Sequence, residues 1–175
     1  GQSLDVSLDN LALMYVSSCE FLAQQTKQII DNLKNSGNIL ECIFISGSQC
    51  KNDLLMQLFS DCTQLPIIVP RYIDAAVCFG SALLGCAAYK NYMTILTNDQ
   101  SDISNSILSN KTIAGNNLWD TMTELTGSGK CILPQSINHP DVQLLMVKYD
   151  IFLHQQQTQQ MYRKKIDDKL AQLNL

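Results

Sequence analysis

Apolar residues recur at helical spacing over two long stretches, one near each end of the chain, and gather into short runs between them. From Asp9 to Asn35 the apolar side is Leu11, Met14, Tyr15, Ser18, Cys19, Leu22, Thr26, Ile29, Ile30 and Leu33, which predicts a long helix stopped by Gly37. Glu41 to Ser46 holds an unbroken apolar run, Cys42-Ile43-Phe44-Ile45. With no polar alternation, it predicts a strand covered on both faces, as in the middle of a parallel sheet. The run stops at Ser46-Gly47-Ser48. An amphipathic helix follows over Asp53 to Cys62, with Leu54, Leu55, Leu58, Phe59 and Cys62 on one side. Pro66 and Pro70 frame a short strand, Ile67-Ile68-Val69, and Asp74 is placed to cap a helix from Ala75 to Tyr89. Strand, helix, strand, helix is the order of an α/β domain.

The pattern then changes. Thr97 to Asn117 is polar and rich in Asn and Ser, and reads as a mobile surface insertion at 97–117. Leu118 to Leu125 predicts a short helix ended by Gly127-Ser128-Gly129, and Lys130 to Pro134 a short extended piece. From Asp141 a last long helix keeps phase through Val142, Leu145, Tyr149, Phe152, Leu153, Ile166, Leu170 and Leu173, interrupted by the polar run Gln155 to Gln160.

Composition narrows the function classes. With 46% apolar and 16% charged residues, the 175-residue chain has the makings of one globular domain. A net charge of −4 speaks against a nucleic-acid surface, and the short basic run Arg163-Lys164-Lys165 reads as a solvated helix face beside Asp167 and Asp168. Seven cysteines, an odd number with no Cys-x-x-Cys, suit free thiols in a reducing, cytoplasmic compartment. His139 and His154 have no ligand-like partners at metal spacing, so no metal site is expected. The apolar run Ala75 to Tyr89 is shorter than the roughly 20 residues of a membrane span. The chain opens Gly-Gln-Ser without Met, which reads as a piece of something longer.

The candidate chemistry sits at the turn after the first strand. Gly47 lacks a Cβ, so a ligand can approach the main chain there. N–H groups at the turn and the helix start can face a phosphate or a base edge. Gly47 alone would read as a turn glycine. Lys51 has the reach for a phosphate and equally reads as a solvated lysine. Gly80 and Gly85, inside a helix, read as close-packing positions, Asp61 as a surface or local cap residue, and Trp119 and Tyr149 as core.

In their order, three segments resemble the C-terminal nucleotide-binding domain of the FGGY carbohydrate kinases, which include glycerol, xylulose and ribulose kinases. The first is the helix with Ala23-Gln24-Gln25-Thr26-Lys27. The second is Ser46-Gly47-Ser48-Gln49-Cys50-Lys51-Asn52, running into Leu54-Leu55-Met56-Gln57-Leu58 and Ser60-Asp61. The third is Leu65-Pro66-Ile67 followed by Gly80-Ser81-Ala82-Leu83-Leu84-Gly85. Tyr149-Asp150-Ile151-Phe152 resembles the helix that closes these kinases, and Gly-Ser-Gln-Cys-Lys-Asn looks closest to the ribulose-kinase-like branch.

The resemblance implies an α/β fold, part of an actin-like, ribonuclease-H-like ATPase domain, helix-rich with a few buried strands. It implies ATP or ADP with Mg2+ as cofactor, the Mg2+ ligands not being identified in this chain. Gly47 would lie against the phosphate–ribose part and Asn52 near the adenine, with Ser48, Gln49 and Lys51 completing the cofactor-binding turn. Relatives usually carry a second glycine where this chain has Ser48, and often an acidic residue where it has Ala75, with Asp74 next to it as a substitute cap. The catalytic base and the sugar contacts would lie upstream, in an N-terminal sugar-binding domain of the same protein. No catalytic residue is therefore expected within residues 1–175, and the isolated piece is expected to be inactive. The implied reaction is phosphoryl transfer to a small sugar, a ketopentose such as ribulose. The alternative is a non-catalytic actin-like nucleotide-binding or interaction module, for which Ser48 is the one hint.

Overall fold

A computed structural model of the chain describes residues 5–97 and 118–173. The expected insertion at 97–117 lies, beyond Thr97, outside the described residues. The elements are α1 (Leu8–Asn35), β1 (Ile43–Phe44), α2 (Asp53–Thr63), β2 (Ile67–Val69), α3 (Ala76–Thr97), α4 (118–126), β3 (Lys130–Ile132) and α5 (Pro140–Gln172). The chain forms two compact units. One is Gly1–Ile43 with Asn52–Ile67 and Ile132–Leu175. The other is Phe44–Lys51 with Ile68–Cys131.

Local chemistry sets the helix ends, at Gly37 as expected and at three further positions. Ser7 caps α1 by accepting from the Asn10 N–H at 3.2 Å. Gly37, at φ +87°, takes the left-handed conformation that ends it. The Gly37 N–H then reaches the Lys34 carbonyl and the Asn38 N–H the Leu33 carbonyl, a Schellman closure. Asn52 caps α2, and α5 begins on Pro140 with His139 as its cap. The last long helix thus begins one residue before the expected Asp141. α3 starts at Ala76 and runs on to Thr97, past the expected end at Tyr89, since nothing between those residues breaks a helix.

The first unit holds its core between α1, α2 and α5. Ala23, Cys62 and Leu145 meet there, with Leu58, Phe59 and Met146 against them. Met56, Cys62 and Val142 are fully buried. Polar pairs fasten the same helices. Lys148 reaches Glu20 at 2.6 Å, and the Tyr149 hydroxyl donates to Asp31 at 2.9 Å. Tyr149 is core, as expected. The apolar stripe of α1 is only partly covered: Cys19 and Ile30 are buried, whereas Leu11, Met14 and Ile29 are exposed. On α5, Val142 and Leu145 are buried but Ile166 and Leu170 are exposed, as is Leu173 just beyond its end.

β1 and β2 pair in parallel. The Ile43 N–H donates to the Pro66 carbonyl and the Ile45 N–H to the Ile68 carbonyl, so donor and acceptor advance together by two residues. The sheet order is β1-β2-β3. This corrects the expectation for Glu41 to Ser46. The strand is only two residues long and lies at the sheet edge, with Phe44 73% exposed. An unbroken apolar run marks a strand that can be covered on both faces, but among the described residues nothing lies beyond it.

In the second unit, Leu83 and Ala87 are the buried side of α3. Gly80 and Gly85 do not mark close packing, because a Cβ at either would meet nothing within 4 Å. Gly85 lies two residues from both Leu83 and Ala87 and so faces the other way. Trp119 is 69% exposed, not core, because α4 buries Thr121, about 200° round the helix from it. Gly127 takes φ +68°, and a Cβ on Gly129 would stand 2.5 Å from the Val69 carbonyl oxygen, so the two glycines are required for different reasons. Among the described residues no helix is long and apolar enough to cross a membrane. Three cysteines are buried, two are half-buried, and Cys78 and Cys131 are exposed.

Candidate functional site

The turn after β1 is the sharpest local feature. Gly47 adopts φ +100°, which disfavours any residue with a Cβ, and a Cβ built there meets nothing within 4 Å. Glycine is thus needed for the backbone path, and the space beside it is open. Ser48–Lys51 then form one 3-10 turn. Cys50 holds that turn from below. Its N–H donates to the Gly47 carbonyl at 3.1 Å and its thiol to the Ile45 carbonyl at 3.0 Å. Burial pushes the Cys50 thiol pKa up, which keeps it a neutral donor. Ser48 and Gln49 are exposed on the outer side. Lys51 is exposed and pairs with Asp74 at 2.9 Å, a surface ion pair worth little in stability. Asp74 therefore directs its carboxylate to Lys51, while the Ala75 carbonyl accepts the Phe79 N–H at the start of α3.

Asn52 has a different setting. Its Oδ1 accepts the Leu55 N–H at 3.2 Å, which caps α2, and its Nδ2 donates to the Tyr15 hydroxyl on α1 at 2.6 Å. Of the predicted site residues, Gly47, Ser48, Gln49 and Lys51 thus share one turn with open surroundings, while Asn52 follows them in sequence as a half-buried cap.

Asp61 is corrected from a surface residue to a buried staple. Its carboxylate accepts the Gln135 N–H at 2.7 Å, the Gln135 side-chain amide at 3.1 Å and the Gln57 amide at 2.9 Å. Three donors satisfy the charge without a cation. Asp61, Gln57 and Glu20 also line a recess of about 240 Å³ among α1, α2 and α5. Glu20 is held by Lys148 and Asp61 by the two glutamines, so the buried polar groups of this recess are already paired. Among the described residues no group of three His, Cys, Asp or Glu side chains could hold a metal ion.

Comparison with known proteins decides what this arrangement belongs to. Residues 1–89 match the model of the FGGY family of carbohydrate kinases, C-terminal domain. The chain belongs to the FGGY carbohydrate kinase family. It is 34% identical to the D-ribulokinase of Saccharomyces cerevisiae over 245 residues, which take in 95% of this chain and 34% of that protein. It is 30% identical to Protein MPA43 of the same yeast over 177 residues, 99% of this chain and 30% of the relative. An FGGY carbohydrate kinase domain-containing protein of Xenopus laevis is 26% identical over 163 residues, 93% of this chain and 25% of the relative. The chain spans between 25% and 34% of the length of these relatives. The stretch matched in the yeast D-ribulokinase is longer than this whole chain, so that relative carries extra residues within it. The FGGY match covers α1, the Gly47 turn, α2 and β2, and takes in α3 as far as Tyr89. The FGGY family implies a ribonuclease-H-like kinase fold, and a helix-rich chain with a small sheet is compatible with it.

Two residues with local roles were not singled out from sequence. Cys50 was read only as part of the turn's pattern and Tyr15 only as one of the apolar positions of α1. The Tyr15–Asn52 pairing is set by tertiary structure, whereas the Cys50 thiol bond to the Ile45 carbonyl is local but is not announced by residue type.

Proposed function

We propose that this FGGY domain is the nucleotide-holding part of an ATP-dependent kinase that phosphorylates a small sugar, a ketopentose such as ribulose. The observation that carries the reading is the family match over a segment in which Gly47, at φ +100°, follows a strand and faces open space. The yeast D-ribulokinase similarity supports the sugar class.

In this reading the phosphate–ribose part of ATP lies along the Gly47 backbone, where no side chain intervenes. The Ser48 hydroxyl and the Gln49 amide supply exposed polar groups, and Lys51 supplies positive charge near the phosphates at the cost of a weak surface pair. Asn52 stands at the base end. Mg2+ would accompany the ATP phosphates and screen their charge, and the described residues offer no cluster of three His, Cys, Asp or Glu side chains to hold it. Such transfers rest mainly on positioning and charge stabilisation, and they need a base to take the proton of the sugar hydroxyl. The carboxylates of this chain near the turn have other work: Asp74 pairs with Lys51 and Asp61 staples α2 to Gln135. The base and the sugar contacts are assigned to an N-terminal sugar-binding domain of the same protein.

The test is an ADP-release assay on the intact protein with ribulose, xylulose and glycerol, alongside the 175-residue chain alone. Ribulose-dependent release by the intact protein and none by the chain alone is the expected result. Sugar-dependent turnover by the chain alone, at the rate of the intact protein, would overturn the placement of the catalytic residues. No sugar-dependent release by either would overturn the kinase reading.

A further inference from the structure

An asparagine amide has two lone pairs on Oδ1 and two hydrogens on Nδ2, and its two ends are interchangeable until something fixes them. At Asn52 the backbone fixes one end. The Leu55 N–H can only donate, so Oδ1 must point at it. With Oδ1 so placed, Nδ2 donates to the Tyr15 hydroxyl at 2.6 Å, which restrains the amide a second time. Held at both ends, the amide cannot rotate to present its carbonyl outward, and the remaining Nδ2 hydrogen is what it can offer a ligand. Tyr15 itself, accepting from Asn52, keeps its own hydroxyl hydrogen, and among the described residues no acceptor takes it. Its ring is half exposed.

We propose that Tyr15 is a positioning residue for the nucleotide base: the Leu55 N–H sets which end of the Asn52 amide faces out, and the Tyr15 hydroxyl holds the plane of that amide so that its remaining Nδ2 hydrogen is aimed at an acceptor atom of the base. The inference rests on the reading of the Gly47–Asn52 stretch as a nucleotide site and adds to it a residue from α1. A purine carries ring nitrogens that accept such a bond. Without the hydroxyl, the amide keeps its cap but loses the second restraint, so the donor is no longer fixed.

The test uses the intact protein with ATP and ADP. In Tyr15→Phe the ring stays and only the hydroxyl goes. The expected result is about a fivefold rise in the ADP dissociation constant and in KM for ATP, the equivalent of one net hydrogen bond, with kcat, sugar KM and melting temperature unchanged. Asn52→Asp separates this inference from the reading beneath it. Aspartate caps a helix as well as asparagine does, but it offers no hydrogen to the base. If Asn52→Asp weakens ADP binding and Tyr15→Phe does not, the role of Tyr15 is wrong and the site stands. If a folded Asn52→Asp protein binds ADP as before, the site itself is wrong and the inference falls with it. Should Tyr15→Phe alter sugar KM and kcat along with nucleotide affinity, its role is structural and the proposal is overturned. In the double variant, no loss beyond that of Asn52→Asp is expected, because the hydroxyl acts through the amide.

Discussion

Neighbouring stretches of this chain use their polar atoms in opposite ways. Along α2, Asn52 and Asp61 direct their side chains inward, to the Leu55 N–H, Tyr15, Gln57 and Gln135. In the turn just before it, only Cys50 is turned inward, while Ser48 and Gln49 are left exposed and Gly47 faces open space. Asp61, the buried member of the first stretch, holds the fold together, while Asn52 is a half-buried cap whose amide keeps one hydrogen for a ligand. The second stretch is held from beneath and leaves its upper side uncommitted, which is what a ligand-facing turn needs. The difference separates residues whose loss should cost stability from those whose loss should cost binding.

The largest effect is expected at Asp61. Asp61→Ala leaves three donors without their acceptor inside the protein, and should lower unfolding stability by roughly 3 kcal/mol or more, read by urea titration. A loss under about 1 kcal/mol would show that water satisfies these donors and that α2 is less closed than described.

Alkaline pH probes the same packed side. Burial pushes the Cys62 thiol up to about 12 from an ordinary value of 9.0. The folded state therefore holds its proton where the unfolded chain gives it up. This contribution is fully present below about pH 9 and is lost as the pH rises towards 12. Burial, with a hydrogen bond to Asp31, raises Tyr149 as well and adds to the loss above pH 10. Denaturation midpoints measured from pH 8 to pH 11 should fall, and less steeply in Cys62→Ala. An equal fall in both would remove Cys62 from the account.

Gly47→Val tests the open side. The residue must adopt a left-handed φ, so about 1–2 kcal/mol of strain is expected whatever the ligand does. Nucleotide affinity should fall further, because the side chain fills the approach. Calorimetry well below the melting temperature of the variant separates the two. Unchanged affinity in the folded variant would sink the assignment of the turn.

The smallest effect belongs to Thr121. It is fully buried and its hydroxyl has no partner among the described residues. Thr121→Val keeps the shape and removes the unmet group, so stability should stay level or rise by up to about 1 kcal/mol in a thermal melt. A clear loss would reveal a partner for the hydroxyl.

The helices were readable because apolar spacing and the Gly37 stop are local signals, and Ser7, Asn52 and Pro140, which set the other ends, likewise act on residues a few positions away. The Gly47 turn was readable for the same reason. What sequence misjudged is tertiary. Asp61 has the same local context whether it faces water or Gln135, and only the fold brings Gln135 to it. Trp119, Gly80 and Gly85 were judged by residue type, which says what a position can bury and not whether a neighbour arrives. The run Cys42 to Ile45 was apolar enough for an inner strand, yet the sheet described here ends at β1.

The parallel pairing of β1 and β2 has a consequence for how this region assembles. Two strands that run the same way cannot zip together from a tight turn between them. The chain must first travel back, and α2 is the segment that makes the return. Closing so long a connection before any strand contact rewards it is slow, so the folding speed of this motif is governed by how readily α2 forms. The Asn52 cap, described above for what it fixes in the finished protein, is then also a kinetic element. Weakening it should slow refolding more than it speeds unfolding.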